Sequence, residues 1–277
     1  DGIKSMSIVD AINAQFQRIQ QRVWIDGALQ YNVSSINVEH SFDSPCGSAT
    51  IEMLTTDADA NAYVEIEQGY NGYFSRTFTG WVDRVEKSRT PGRMEVRCRD
   101  VLKWAVENFI ADEIEYNQIQ AQDLVSDLIV NRSGIPNYTA ETSNFTVADI
   151  VPAKFIYTSA YDAAKQVAEL IRWRIWADVG GTVHFEEVRD VPASNSFWDY
   201  ASGGRILGIS YELSDESLRN YIKVKGYGSD IWSDCFQQSD YVPSPPTYRT
   251  AIYSSELIDT QEMADFVAQL MLDELNV

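Results

Sequence analysis

Between Val23 and Arg99 the apolar residues fall largely on every second position, and this alternation constrains the chain more than any other feature. A period of two sends successive side chains to opposite faces of a strand, so each run buries one face and offers the other to water. Val23-Trp24-Ile25 runs into Asp26-Gly27, a pair suited to the positive φ of a tight turn. Tyr31, Val33, Ile36, Val38 and His40 continue the alternation, and Ile51 to Leu54 makes a further short run. The clearest hairpin joins 63–68 to 73–85 around Asn71-Gly72. In its second arm Phe74 and Phe78 share one parity, whereas Trp81 and Val85 share the other. That slip is placed near Gly80, as a bulge or barrel corner. Beyond Pro91-Gly92, Met94, Val96 and Cys98 alternate with Arg93, Glu95, Arg97 and Arg99. Residues 23–99 therefore predict a small, strongly bent β-barrel.

Helical spacing flanks this block. Ile8, Ile12, Phe16, Ile19 and Val23 recur every three or four positions behind Ser7 and Asp10, which predicts an N-terminal helix over 1–22. Asp100 stands as N-cap before Val101, Leu102, Ala105 and Phe109. Ala121, Leu124, Val125, Leu128 and Ile129 form a second stripe, halted by Gly134 and Pro136. A third, Ala160 to Ile171, opens on a Ser159/Asp162 capping pair and feeds a hairpin, 174–178 to 182–188, across Gly180-Gly181. New strands are expected at 206–213 and 221–227, then an extended loop over 229–250 with Pro243, Pro245 and Pro246. A last helix carries Ala264, Val267, Ala268, Met271 and Leu275, with Asp259 and Glu262 as its capping pair. The expected class is α+β: the helix 1–22, a first β-barrel-like domain 23–104, a mixed α/β domain 105–204, and the start of a second β-barrel-like unit 205–277. That last unit reads as incomplete, with a continuation expected after Val277.

The chemistry is sparse. With 22 basic and 41 acidic residues the net charge is −19, a surface that repels phosphate and anionic lipid and so excludes a nucleic-acid binder or a cationic membrane binder. No apolar run is long enough to span a bilayer, and no membrane insertion is expected. Cys46, Cys98 and Cys235 are odd in number and lack a CxxC pair, which predicts free thiols. His40 and His184 sit within alternating runs as ordinary strand residues, and no GxSxG, HExxH or GxxxxGK[ST] motif occurs. Acids such as Asp112, Glu113 and Glu115 could form a glycosidase pair, but among 41 acids some pair arises by chance. Asp57, Asp59 and Asn61 open like a calcium loop, yet Ala62 stands where glycine is required and Gln68 where the bidentate glutamate belongs. No catalytic residue, cofactor or metal is expected.

One local charge reversal points to docking. Arg76, Arg84, Lys87, Arg89, Arg93, Arg97, Arg99 and Lys103 face only four acids in the same stretch, while after Arg249 there is no Lys or Arg and six acids accumulate. A basic barrel edge meeting an acidic surface of another copy or partner follows from this, with Arg93, Arg97, Arg99 and Trp81 as the candidate interface.

The order of pieces is similar to a known family. Ser48-Ala49-Thr50-Ile51-Glu52-Met53 closes the early strands, and Gly80-Trp81-Val82-Asp83-Arg84-Val85 lies in the hairpin. Val96-Arg97-Cys98-Arg99-Asp100 precedes a helix, then come Gly180-Gly181 and Asn220-Tyr221-Ile222-Lys223-Val224. This succession resembles bacteriophage baseplate or tail-tip hub proteins, including late-control-type tail proteins and the hub half of contractile-injection spikes. The resemblance implies a homotrimer in a virion, made in the bacterial cytoplasm, whose paired barrels form a pseudo-six-fold ring. Its implied partners are the tail tube or distal tail ring, the spike or tip protein, the tape measure protein, and DNA in transient passage. An acidic wall would let that polyanion slide without sticking. Two other classes are weighed beside it, a tail-borne cell-wall hydrolase and a glycan-binding host-recognition module; neither has a motif here.

Overall fold

A computed structural model describes residues 19–41, 44–55, 58–87, 93–188, 219–228, 230–237 and 248–275. Most of the helix expected over 1–22, the strand expected at 206–213, and Pro243, Pro245 and Pro246 lie outside the described residues. Seven strands come first: β1 (Ile19–Ile25), β2 (Ala28–Gln30), β3 (Val33–Glu39), β4 (Ser48–Met53), β5 (Tyr63–Tyr70), β6 (Tyr73–Lys87) and β7 (Met94–Arg99). They form one sheet in the order β2-β1-β5-β6-β7-β4-β3. Residues 19–22 are thus strand and not helix. A spacing of four keeps Ile19 and Val23 on one face in either period, so it could not separate the two.

Asp26 and Gly27 turn with φ of 48° and 76°, and Asn71 and Gly72 with 50° and 91°, as their sequence predicts. The phase slip in β6 is real but lies elsewhere. Thr77 is extra opposite Ile66-Glu67, and Asp83 is extra opposite Arg97-Cys98. Gly80 serves another end: a Cβ there would stand 2.3 Å from the Arg99 carbonyl oxygen.

Val23 of β1 and Ile51 of β4, from strands near opposite ends of the order, share one core with Ile66, Phe78, Val82 and Val96. The residues buried in that core come from the strands and from Ala62, and none from a helix, so the sheet curls over its own apolar face. Burying Phe78 or Ile51 there stabilises the fold by about 1.5–3 kcal/mol each. The ladder stays open at β2 and β3, so among the described pairings the expected barrel is a curled sheet without closure.

Past Asp100 the helix α1 (Lys103–Glu107) is shorter than the apolar spacing predicts, because Asn108 turns extended and Phe109 enters a strand. Six short strands then nest as one long hairpin: β8 (Phe109–Ile110), β9 (Ile114–Tyr116), β10 (Ile119–Gln120), β12 (Thr146–Val147), β13 (Ala153–Phe155) and β14 (Thr158–Ser159), paired outermost to innermost. Within it, α2 (Ala121–Ser126) widens into a π-helix (Asp127–Arg132), and β11 (Tyr138–Ala140) runs parallel to a later strand. Next come α3 (Ala160–Leu170) and the hairpin β15 (Trp173–Ala177) and β16 (Val183–Glu187). Ser159 Oγ accepts the Asp162 amide at 2.9 Å and donates to its carboxylate at 2.7 Å, the reciprocal cap expected for α3.

The last region holds β17 (Tyr221–Lys225), β18 (Trp232–Phe236), β19 (Thr250–Ser254) and α4 (Gln261–Leu275). β17 is central, antiparallel to β18 and parallel to β19. A strand therefore occupies part of the stretch expected as loop over 229–250; its alternation of Trp232, Asp234 and Phe236 with Ser233 and Cys235 is short and polar enough to read as linker. Ile222, Val224, Met263 and Val267 join Leu124, Val167 and Phe185 in one continuous second core. Thr79 Oγ1 donates to the Val179 carbonyl at 2.7 Å and ties the first sheet to this body. No helix among the described residues is long and apolar enough to cross a membrane.

Candidate functional site

The candidate interface residues lie on the outer face of the curled sheet, where a one-residue alternation on β7 separates Val96 and Cys98 inside from Glu95, Arg97 and Arg99 outside. The structure splits them into two groups. Trp81 and Arg99 are cross-strand neighbours at the end of the sheet that α1 covers. Trp81 packs edge-on against Trp104 at 5.9 Å and Tyr63 at 5.4 Å. Arg99 binds Asp83 and Glu107, and the fully buried Lys103 ammonium completes the cluster at 3.0 Å from Asp83 and 2.9 Å from Asn61. Burial alone would raise the Asp83 carboxyl, but Arg99 and Lys103 outweigh it and hold it below the usual carboxylate range. The polar and aromatic groups of this half are engaged within the chain, with Arg99 and Trp81 partly exposed.

Arg93 and Arg97 occupy the uncovered end. Arg93 pairs with Glu52 and Arg97 with Glu95, both at 2.5 Å, and Arg84 with Glu86 at 3.0 Å. The basic side chains of this stretch are thus paired with acids, Glu86 and Glu95 two residues away on the same strand and Glu52 across the β4–β7 register.

A cleft of about 610 Å³ opens between the curled sheet and the second body, lined by His40, Asp100, Leu102, Tyr161, Trp173 and Trp176 among others. Asp100 sits at its base. Its two carboxylate oxygens accept the Gly47 amide at 2.6 Å and the Leu102 amide at 2.9 Å, so it fastens a loop as well as capping the turn before α1. Burial drives its pKa up to about 6 against the pull of those amides. Cys46, beside it, is pushed to about 12 by burial, and so is Cys98 in the sheet core; neither is a thiolate nucleophile. His184 comes nearest to a catalytic grouping, with one ring nitrogen 3.1 Å from Asp178 and the other 2.9 Å from the Thr139 hydroxyl. Yet Asp178 also accepts the Gly180 and Thr182 amides that build the β15–β16 turn, and the imidazole stacks on Trp176 at 4.7 Å. Cross-strand packing accounts for all three groups. Among the described residues no three His, Cys, Asp or Glu side chains gather as a metal set.

The acidic helix also departs from expectation in detail. Thr260, not Asp259, caps α4, its hydroxyl accepting the Met263 amide at 3.2 Å. Asp259 reaches away to accept the Ile150 and Val151 amides at 2.6 and 2.8 Å.

A third surface was not singled out in the sequence. On the outer face of β17 stand Tyr221, Lys223 and Lys225, flanked in register by Phe236, Asp234 and Trp232 on one side and Thr250, Ile252 and Ser254 on the other. Trp232 and Phe236 are nearly half exposed, and Ile252 is 73% exposed. The available signal was the strict alternation of Tyr221, Lys223 and Lys225 against Ile222 and Val224.

No protein-family model matches the sequence, and no curated protein matches it. Solved structures do match in fold. The 43 kDa tail protein of prophage MuSo2 from Shewanella oneidensis superposes with a TM-score of 0.67 at 15% identity, over 92% of this chain and 78% of that one. A tail protein from Neisseria meningitidis gives 0.66 at 14% identity, over 93% and 76%. Prophage tail protein gp18 from Listeria monocytogenes gives 0.61 at 11% identity, over 92% and 78%. What is shared at these identities is the fold.

Proposed function

We propose that this chain is a structural subunit of a phage tail, one third of a trimeric hub ring at the tail tip or baseplate. The observation that carries the reading is the agreement in fold, over more than nine tenths of the chain, with three solved tail proteins. In this reading the curled first sheet and the β17–β19 unit are the two barrel-like pieces that each subunit contributes, so that three chains present six to a hexameric tube. The ring joins the tail tube or distal ring to the spike or tip protein and leaves a channel for the tape measure protein and DNA. Arg93 and Arg97, at the uncovered end of the sheet, are the part of the original interface set that stays open to a neighbouring protein.

In this reading the role is mechanical. A net charge of −19 per copy gives a polyanion few cations to displace counterions, which suits passage without binding. Light scattering on the purified full chain tests the assembly: a mass three times that of one chain, with annular particles by electron microscopy, is the expected result. A strictly monomeric protein at every concentration reached overturns it.

A further inference from the structure

We propose that the outer face of the β18-β17-β19 sheet is a socket for helix α4 of a second copy of this chain; the inference rests on the ring reading and names one of its contacts. The face is a grid of nine residues fixed by the register: Phe236, Tyr221 and Thr250 in one row, Asp234, Lys223 and Ile252 in the next, Trp232, Lys225 and Ser254 in the third. Tyr248 extends the aromatic corner, 5.1 Å from Tyr221 and 5.2 Å from Phe236. Exposed aromatic and aliphatic surface of this kind is the usual core of a protein contact. At its centre stand two ammonium groups that, among the described residues, form no ion pair and lie over the Tyr221 and Trp232 rings.

The complement lies on the other side of the same unit. Helix α4 packs through Met263, Ala264, Val267 and Ala268 and leaves Glu262, Phe266 and Asp273 exposed along one helix face, with one side of the Phe266 ring 6.0 Å from Phe145. No Lys or Arg occurs in the helix, and Phe266 is nearly half exposed in the middle of that face. A helix face carrying Glu262, Asp273 and one apolar anchor fits an aromatic face holding Lys223 and Lys225, which form no ion pair among the described residues.

The helix cannot fill its own socket. Ser233 and Cys235 of β18 point inward and donate to Asp265 at 2.6 Å and Gln269 at 3.2 Å, which pins α4 to the opposite face. Socket and plug on opposite faces of one unit meet only between copies, and in a head-to-tail sense. Such heterologous contacts close into a ring when the rotation between copies allows it. The curled sheet offers a poorer socket, because Arg93, Arg97 and Arg99 are each already paired within the chain.

The test is light scattering on the full chain, with far-ultraviolet circular dichroism to establish that each variant is folded. Lys223→Glu with Lys225→Glu is expected to weaken assembly at least roughly tenfold. Glu262→Lys with Asp273→Lys is expected to do the same, and the four changes together to restore it. Ile252→Ser weakens assembly without altering charge, which guards against a general electrostatic effect. If the wild type assembles and the lysine reversals leave it assembled, or if the combined variant is not restored, the socket is wrong while the ring stands. If the wild type is monomeric throughout, the ring reading falls and the socket with it.

Discussion

The carboxyl of Asp100 has exchanged nearly all its water for the amides of Gly47 and Leu102, and burial lifts its pKa from 3.8 to about 6. A folded-state pKa above the unfolded one means that the folded chain holds the proton more tightly. The contribution of this group to stability is therefore full below about pH 4 and is lost as pH rises through 6, by roughly 3 kcal/mol. Asp83, Asp127, Asp178 and Glu186 work in the other direction, since each is held below its usual range and loses its stabilising effect as pH falls. Comparison with Asp100→Asn separates the two trends. Wild type should exceed the variant most at pH 4, and the gap in urea midpoint should narrow steadily towards pH 7. A gap that is constant across this range would show that Asp100 keeps an ordinary pKa. The pH response belongs to a residue that composition gave no reason to single out: Asp100 reads as the helix cap, whereas Leu102 takes that place and Asp100 holds the turn before it, buried beneath the Gly47 loop.

At the level of elements, the reciprocal cap on α3 is the most local device in the fold. Ser159→Ala removes the acceptor for the Asp162 amide and should lower stability by about 1 kcal/mol in chemical denaturation, whereas Ser159→Asp should retain most of it. Equal loss in both variants would argue that the hydroxyl serves something other than the helix start. Devices of this kind were legible in advance: the α3 cap, the Asn71-Gly72 turn and the β15–β16 hairpin all depend on residues within a few positions of one another. Elements that needed distant partners were read less well. Ile19 and Val23 fit strand and helix equally until β5 pairs with β1. The slip in β6 drew attention to Gly80, but the bulges are set by the strands on either side, at Thr77 and Asp83. Asp259 looked like the cap of α4 until the loop at Ile150 and Val151 claimed its carboxylate. Of the candidate interface, the residue types were legible and their pairing was not, since Glu52 meets Arg93 only across the β4–β7 register.

For the molecule as a whole, charge governs how copies approach. Each carries −19, so at low salt long-range repulsion opposes the encounter even where local surfaces match. Raising ionic strength from about 0.01 to 0.15 M shortens the screening length from roughly 30 to 8 Å and should speed association, measured as the growth of scattered light after mixing. A rate that falls steadily over the same range would mean that attraction between oppositely charged faces, not net charge, controls the encounter. The open ladder of the curled sheet bears on how another chain could pair with it. Among the described residues two strand edges end the ladder, three residues long on β2 and seven on β3. The first is too brief to template another strand, and the second turns Ser34, Ser35, Asn37 and Glu39 to solvent, where a stranger would have to bury them. Strand addition from another chain is discouraged at both rims.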